Sequence, residues 1–351
     1  MDQKYYKGRG AQINTPNPFL EKQIVTEHIE GIDEELMPES PKRQLYYETP
    51  KKIINRVNSP DIPLDFSLNP YQGCEHGCIY CYARNVHTYW GFSAGLDFES
   101  KLIVKKDAPK ILENEFLKNS WRPAPIILSG NTDCYQPIEK KFKITRNLLK
   151  VFAKYRNPVG IITKNDLIIR DMDILQELAS HNLVHVFISI TTLDEKLRLK
   201  MEPRTVRSEK RLRAIENLSK SGIPVAVMVA PIIPAINDHE IPDILKAVSD
   251  HGAWDAAYNV VRLNGAVGEI FKDWLLKNFP DRSSKVWKLI EDMHNGKVND
   301  TQWGRRMKGS GNIALTIKQL FNSAKTKYLK HKPLPTLDAT KFRRGGNYQL
   351  F

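Results

Sequence analysis

"DFSLNPYQGCEHGCIYCYARNVHTYW", residues 65–90, begins as a short apolar run and then places Cys74, Cys78 and Cys81 within eight positions. Gly73 and Gly77 tolerate φ > 0, so the backbone can double back and aim three sulfurs at one centre. A strand that ends in a ligand-bearing loop is how a parallel α/β barrel presents its chemistry, at the C-terminal ends of its strands. Further apolar runs bounded by turn or polar residues follow at "PIILSG" (125–130), "VGIITK" (159–164), "LVHVFISI" (183–190), "IPVAVMVAPII" (223–233) and "YNVVRLNG" (258–265). They read as buried parallel strands.

Helix-like stretches alternate with these runs: "IEKKFKITRNLLKVFAKY", "DMDILQELASHN", "SEKRLRAIENLSKSG" and "HEIPDILKAVSDHG". Several start with an acid and end with a glycine, as helices do. Counting the strand at "DFSLNPY", the alternation makes six units, and no buried strand is predicted after residue 265. The fold class expected is α/β: an open six-unit (β/α)6 partial TIM barrel, rather than a complete eight-unit barrel or a flat doubly wound sheet. Residues 1–60, with "NTPNPF" and "GIDEELMPESPKR", read as an irregular N-terminal extension. Residues 61–265 form the barrel core and residues 266–351 a helical, basic C-terminal extension.

At 351 residues and 41% hydrophobic, the chain can bury a substantial core. The start, "MDQKYYKGRG", lacks an apolar h-region and no stretch approaches a membrane span, so a cytoplasmic protein with no membrane partner is expected. Three clustered cysteines plus a lone Cys134 do not resemble a disulfide framework and favour metal ligation. Of the net charge of +13, residues 301–351 supply eleven Lys and Arg against the single acid Asp338, a surplus of ten. That tail reads either as a solvated face or as a nucleic-acid contact. Within it Trp303, Arg305, Arg306 and Lys308 combine a ring with three cations, which suits base stacking with phosphate contact and equally suits packing over the barrel mouth.

The strand exits form one list: the cysteine loop, "SGNTDCYQP", "TKND", "SITTLDEK", "APIIPAIND" and "RLNG". Three thiolates can hold zinc if His76 or His87 supplies a fourth ligand. They can also hold a [4Fe–4S] cluster with one iron left open. Glu139, Asp166 and Asp194 read as helix caps or first-turn residues.

The spacing C-x3-C-x2-C, with Tyr80 just before the last cysteine, resembles the signature of the radical S-adenosylmethionine (SAM) superfamily. "GCIYCYARNVHTYWG", "DFESKLIVKKDAPKIL", "SGNTDCYQPIE" and "WGRRMKGSG" resemble the subgroup related to spore photoproduct lyase, the DNA repair photolyase-like radical SAM proteins. The resemblance implies an open (β/α)6 barrel and a [4Fe–4S] cluster on Cys74, Cys78 and Cys81, with SAM chelating the open iron. It implies reductive cleavage to a 5′-deoxyadenosyl radical, an electron donor such as flavodoxin or ferredoxin, and a nucleic-acid substrate. Tyr80 is expected beside the cluster and the adenine. Ser129, Gly130, Asn131 and Thr132 are expected around the methionine amino group, and Lys164 and Ser189 at the SAM carboxylate and ribose. Arg204 in "MEPRT" offers a fork for a carboxylate. Gly130 falls where the lyase carries its hydrogen-donor cysteine, which speaks against thymine-dimer repair. Cys134, at the exit of strand two, is expected either to return a hydrogen atom to the substrate radical or to fill space in the core. A peptide or small-molecule substrate, and a non-enzymatic zinc module binding nucleic acid, are the competing readings.

Overall fold

Apolar runs with no alternation have nothing to offer water on either face, so they form strands covered on both sides. The computed structural model describes residues 5–20, 41–61, 64–329 and 332–345. Its strands are β1 (Gln44–Tyr47), β2 (Ile54–Arg56), β3 (Phe66–Leu68), β4 (Tyr71–Gln72), β5 (Lys101–Val104), β6 (Ile126–Leu128), β7 (Val159–Thr163), β8 (Val184–Ser189), β9 (Val225–Ile232) and β10 (Asp255–Val260). The main sheet runs β10-β9-β8-β7-β6-β3-β2. From β3 to β10 neighbours pair in parallel and in chain order, and only β2 is antiparallel, on β3. Chain order without reversal is the arrangement of a barrel, not of a doubly wound sheet, and it stops at six parallel strands. Leu128, Ile161, Val186, Ile188, Val227 and Val229 are buried along its wall.

The last strand begins earlier than its apolar run. β10 starts at Asp255, in register with Ala226 of β9, and "DAA" carries no β-branched or aromatic signal by which to see it. The residues from Val261 onward become the exit loop. The helix expected over "IEKKFKITRNLLKVFAKY" is split by Lys143, at φ 53°, into Glu139–Phe142 and Ile144–Tyr155. Among the described residues, no helix is long and apolar enough to cross a membrane.

The N-terminal stretch contains more order than its composition suggests. Residues 5–20 form no regular element, yet Arg9, Gly10, Ala11, Gln12, Thr15 and Asn17 are buried. β1 joins β5 and β4 in a second, three-stranded sheet. Most of "GIDEELMPESPKR" lies outside the described residues.

Beyond the barrel come helices Ala266–Asn278, Ser283–Met293 and Gly311–Tyr328. Between the last two, "WGRRMKG" forms a strap across the open side. Met307 O accepts from Val260 N at the end of β10 (3.0 Å), and Arg306 pairs with Asp61 in the β2–β3 turn (2.5 Å). The chain then passes under the barrel. Arg343 N donates to Tyr155 O, and Arg344 donates to the carbonyls of Phe116 and Trp121. These partners precede β6 and β7, so the tail's last cations lie at the end opposite the cysteine loop.

Candidate cofactor centre

β3 delivers the chain to the mouth, and Gly73 (φ 72°) and Gly77 (φ 69°) fold the cysteine loop back on itself. Cys74 N is anchored on Phe98 O (2.9 Å) and Ile79 N on Met201 O (3.0 Å). Cys74 and Cys78 are buried and Cys81 is partly exposed. Burial pushes all three thiols up, and Cys74 is raised further by Cys78 and Cys81, which places the three within electrostatic reach of one another. Ligation to iron would expel their protons. Among the described residues no three His, Cys, Asp or Glu side chains are gathered as for a single metal ion. His76 is committed to Asp133 (3.4 Å) and Asn165 (3.4 Å). His87 lies between the rings of Phe92 and Phe98. The loop thus offers three thiolates and no histidine, a donor set that fits a [4Fe–4S] cluster with one open iron rather than a four-ligand zinc site.

The exit of β6 wraps this loop. Asn131 N donates to Asn69 Oδ1 (2.8 Å), Asn131 Nδ2 to Gln72 Oε1 (2.8 Å), and Thr132 Oγ1 to Tyr71 O (2.7 Å). Gly130 O accepts from the Tyr82 hydroxyl. A Cβ on Gly130 would come within 2.9 Å of Ser67 Cβ. Ser129 stands at φ 79° and its hydroxyl accepts from Cys134 N (2.7 Å). The hydroxyls of Ser129 and Thr132 are therefore spent holding the turn's shape. Asp133 ties in the next exit, accepting from Thr163 Oγ1 and Lys164 N, both at 2.8 Å.

Of the two readings of Cys134, hydrogen donor or core filling, its surroundings are those of the second. It is fully buried in the main core with Tyr71 and Tyr135, and burial pushes its thiol well up. Its N–H donates to Ser129 Oγ (2.7 Å) and its carbonyl accepts from Thr145 Oγ1 (2.6 Å), which holds the thiol in the packed wall.

On the far side of the loop Tyr80 donates its hydroxyl to Glu202 and lies 3.3 Å from Thr191 Oγ1. Glu202 is fully buried, ion-paired with Arg211 at 2.7 Å, and accepts from Thr191 Oγ1 at 2.6 Å. Burial opposes its ionisation, but Arg211, Lys164 and the two hydroxyls outweigh that and hold the carboxyl at about 2. Lys164 Nζ lies 5.8 Å from the Tyr80 ring centroid, and Ser189, at the end of β8, gives its carbonyl to Arg211 (3.0 Å). Arg204 N bonds to His76 O (3.2 Å) and its guanidinium stands 3.7 Å from Glu75. The carboxylate it faces is thus part of the cysteine loop itself. Glu202, two residues before Arg204, escaped the sequence reading: nothing in "MEPRT" tells a buried acid from a solvated one.

Also unforeseen is the clip on the loop's other flank. Glu99, fully buried, pairs with fully buried Arg84 at 2.6 Å and accepts from Gly10 N (3.1 Å) and Ala11 N (2.8 Å). Arg84 in turn donates to Cys78 O (3.0 Å) and Gly95 O (3.0 Å). A Cβ at Gly10 would stand 1.8 Å from Gly77 O, so only glycine permits this approach. Residues 9–12 therefore lie directly on the cysteine loop. In the basic tail, Arg305 pairs with Asp300, Arg306 with Asp61, Lys325 with Asp255, and Lys308 donates to Tyr258 O. These cations do structural work, while Trp303 stacks on Arg306 at 3.8 Å and remains 48% exposed.

The profile of the radical SAM superfamily matches residues 68–248. An uncharacterised protein of Mycobacterium tuberculosis is 31% identical over 242 residues, 68% of this chain and 71% of the relative. One from Methanocaldococcus jannaschii is 32% identical over 231 residues, 66% of this chain and 82% of its own length. The structure of spore photoproduct lyase complexed with dinucleoside spore photoproduct aligns with a TM-score of 0.61 at 13% identity, over 82% of this chain and 80% of that one. That likeness is one of fold.

Proposed function

The chain belongs to the radical SAM superfamily, and we propose that it cleaves SAM reductively at a [4Fe–4S] cluster held by Cys74, Cys78 and Cys81 and acts on nucleic acid. When bound, the cluster with SAM on its open iron supplies a one-electron reduction of the sulfonium and the 5′-deoxyadenosyl radical. A flavodoxin- or ferredoxin-type partner would supply the electron. The observation that carries the reading is the three-thiol loop at the first exit of a six-strand barrel, without a fourth thiol beside it among the described residues. Around it, residues 9–12 cover the loop's outer flank and keep water from that side. Tyr80, braced by Glu202, walls the other, and Lys164, Ser189 and Arg204 take the SAM carboxylate and ribose, beside a turn shaped by Ser129, Gly130, Asn131 and Thr132.

The nucleic-acid reading draws on the net charge of +13 and on the exposed Trp303 stacked on Arg306. It no longer draws on the whole tail, whose last cations lie at the opposite end of the barrel. Thymine-dimer repair is not proposed, since Gly130 has no thiol and that of Cys134 is buried.

Anaerobically reconstituted protein should bind about four irons and release 5′-deoxyadenosine under a low-potential reductant. Cys→Ala at any of the three positions should abolish that release. Wild-type iron loading in the triple variant would refute the ligand assignment. Salt-sensitive binding of DNA or RNA supports the substrate class, and its absence at low salt hands the reading to a peptide or small molecule.

A further inference from the structure

At the exit of β10 three arginines share two carboxylates. Arg305 pairs with Asp300 and Arg306 with Asp61, and Arg262 lies within electrostatic reach of both carboxylates. Asp61 is taken by Arg306 and by Gly304 N (2.6 Å), and Asp300 by Arg305 and Gln302 N (2.9 Å). Arg262 is the one left over: among the described residues its guanidinium has neither a hydrogen bond nor an ion pair. It is half-buried, and burial together with the positive charge of Arg306 disfavours its ionised form more than Tyr82, Asp61 and Asp300 favour it. Three guanidinium charges thus face two carboxylates, both already engaged, and an anion docking on the half-buried Arg262 would supply the missing negative charge.

Its position bears on function. Arg262 follows the end of β10 by two residues, at the C-terminal end of the barrel where the cysteine loop also lies. It is within electrostatic reach of Tyr82, the residue after Cys81. Tyr82 reaches across to Gly130 O yet remains 49% exposed. Behind Arg262 stands Arg306 with the exposed ring of Trp303 on it. A fork without a hydrogen-bond partner, in a neighbourhood with two partly exposed aromatic rings, matches a unit that joins an anion to a flat ring, which is a nucleotide. A peptide carboxylate would satisfy the fork but leave both rings unused.

We propose that Arg262 receives a phosphate of the substrate, with the attached base against Tyr82 or Trp303. The proposal deepens the nucleic-acid reading and rests on it for the source of the phosphate.

The test uses the reconstituted full chain, with Arg262→Gln and Arg262→Lys, and with iron content and thermal melting as checks of folding. A fluorescein-labelled single-stranded octanucleotide, followed by anisotropy, should bind Arg262→Gln about tenfold more weakly or worse. Arg262→Lys should fall between, because an ammonium lacks the bidentate fork. Thymidine 5′-monophosphate should lose affinity in parallel, which a site reading only long strands would not show. Equal octanucleotide binding by wild type and Arg262→Gln overturns the proposal. So does a loss of SAM affinity with nucleotide binding intact, which would assign the fork to the cofactor. If wild type binds no octanucleotide, the nucleic-acid reading fails on its own and inorganic phosphate decides Arg262. A thermal shift by phosphate that vanishes in Arg262→Gln then supports the residue's role, while no shift, or an equal one, rejects it. Should Arg262→Gln not fold, Arg262→Lys carries the same comparisons.

Discussion

Replacing Glu99 by alanine should both destabilise the protein and free its N-terminus. The side chain is fully buried and holds three N–H groups: Arg84 Nη2 at 2.6 Å, Gly10 N at 3.1 Å and Ala11 N at 2.8 Å. Removing one partner of a buried ion pair costs about 3–5 kcal/mol, because the other charge is left without compensation. Each amide stranded in the interior would add about 1–3 kcal/mol. Here, however, residues 9–12 can lift off the cysteine loop and regain water, so the expected loss stays near the pair's own figure of about 3–5 kcal/mol. It would be read from the urea midpoint by circular dichroism at unchanged slope. Lifting also exposes the Arg9–Gly10 bond, which is buried in the native protein, so trypsin should cut there in the variant and not in wild type. The double variant Arg84→Met with Glu99→Leu removes both charges and should recover more than half of the lost stability. The reasoning fails if Glu99→Ala loses under about 1 kcal/mol while Arg9–Gly10 stays protected, or if the double variant is simply additive.

Two further predictions concern buried groups outside the ligand set. Both ring nitrogens of His87 are buried without a hydrogen-bond partner, and burial lowers its pKa from 6.5 to about 4. The unfolded chain therefore takes up this proton first, so stability falls as pH drops from about 6.5 towards 4, by up to about 3 kcal/mol. His87→Leu should flatten that limb of a urea-midpoint profile, and an unaltered slope would count against it. Cys134→Ala, in the packed wall, should cost about 1 kcal/mol and leave iron content and 5′-deoxyadenosine yield as they were; loss of either returns the thiol to the site.

What the sequence made legible was what local pattern encodes. The barrel strands announce themselves because a strand covered on both faces must be apolar throughout, and the cysteine loop because ligand spacing is a local property. The exception among the strands, β10, hides in "DAA", where pairing with β9 sets the register rather than propensity. The unread parts all depend on partners far apart in the chain. Glu99 meets Gly10 across 89 residues, Tyr80 meets Glu202 across 122, and Arg306 meets Asp61 across 245. A charged residue in a loop looks the same in sequence whether it is solvated or buried against such a partner. The basic tail misled for the same reason: its surplus is real, but several of its cations already have partners in the fold.

A barrel that stops at six strands keeps two free sheet edges, and each is a template on which another chain can add itself. On one side the edge is β2, only three residues long. On the other, three polar groups of β10 are occupied by something other than a strand. Val260 N donates to Met307 O, the Tyr258 carbonyl accepts from Lys308 Nζ, and the Ala256 carbonyl accepts from Lys325 Nζ. An ammonium satisfies a carbonyl but presents no matching acceptor, so the ladder cannot propagate past it. The strap and the final helix thus serve as a chain terminator for the sheet, protecting the incomplete barrel from edge-to-edge aggregation without closing it.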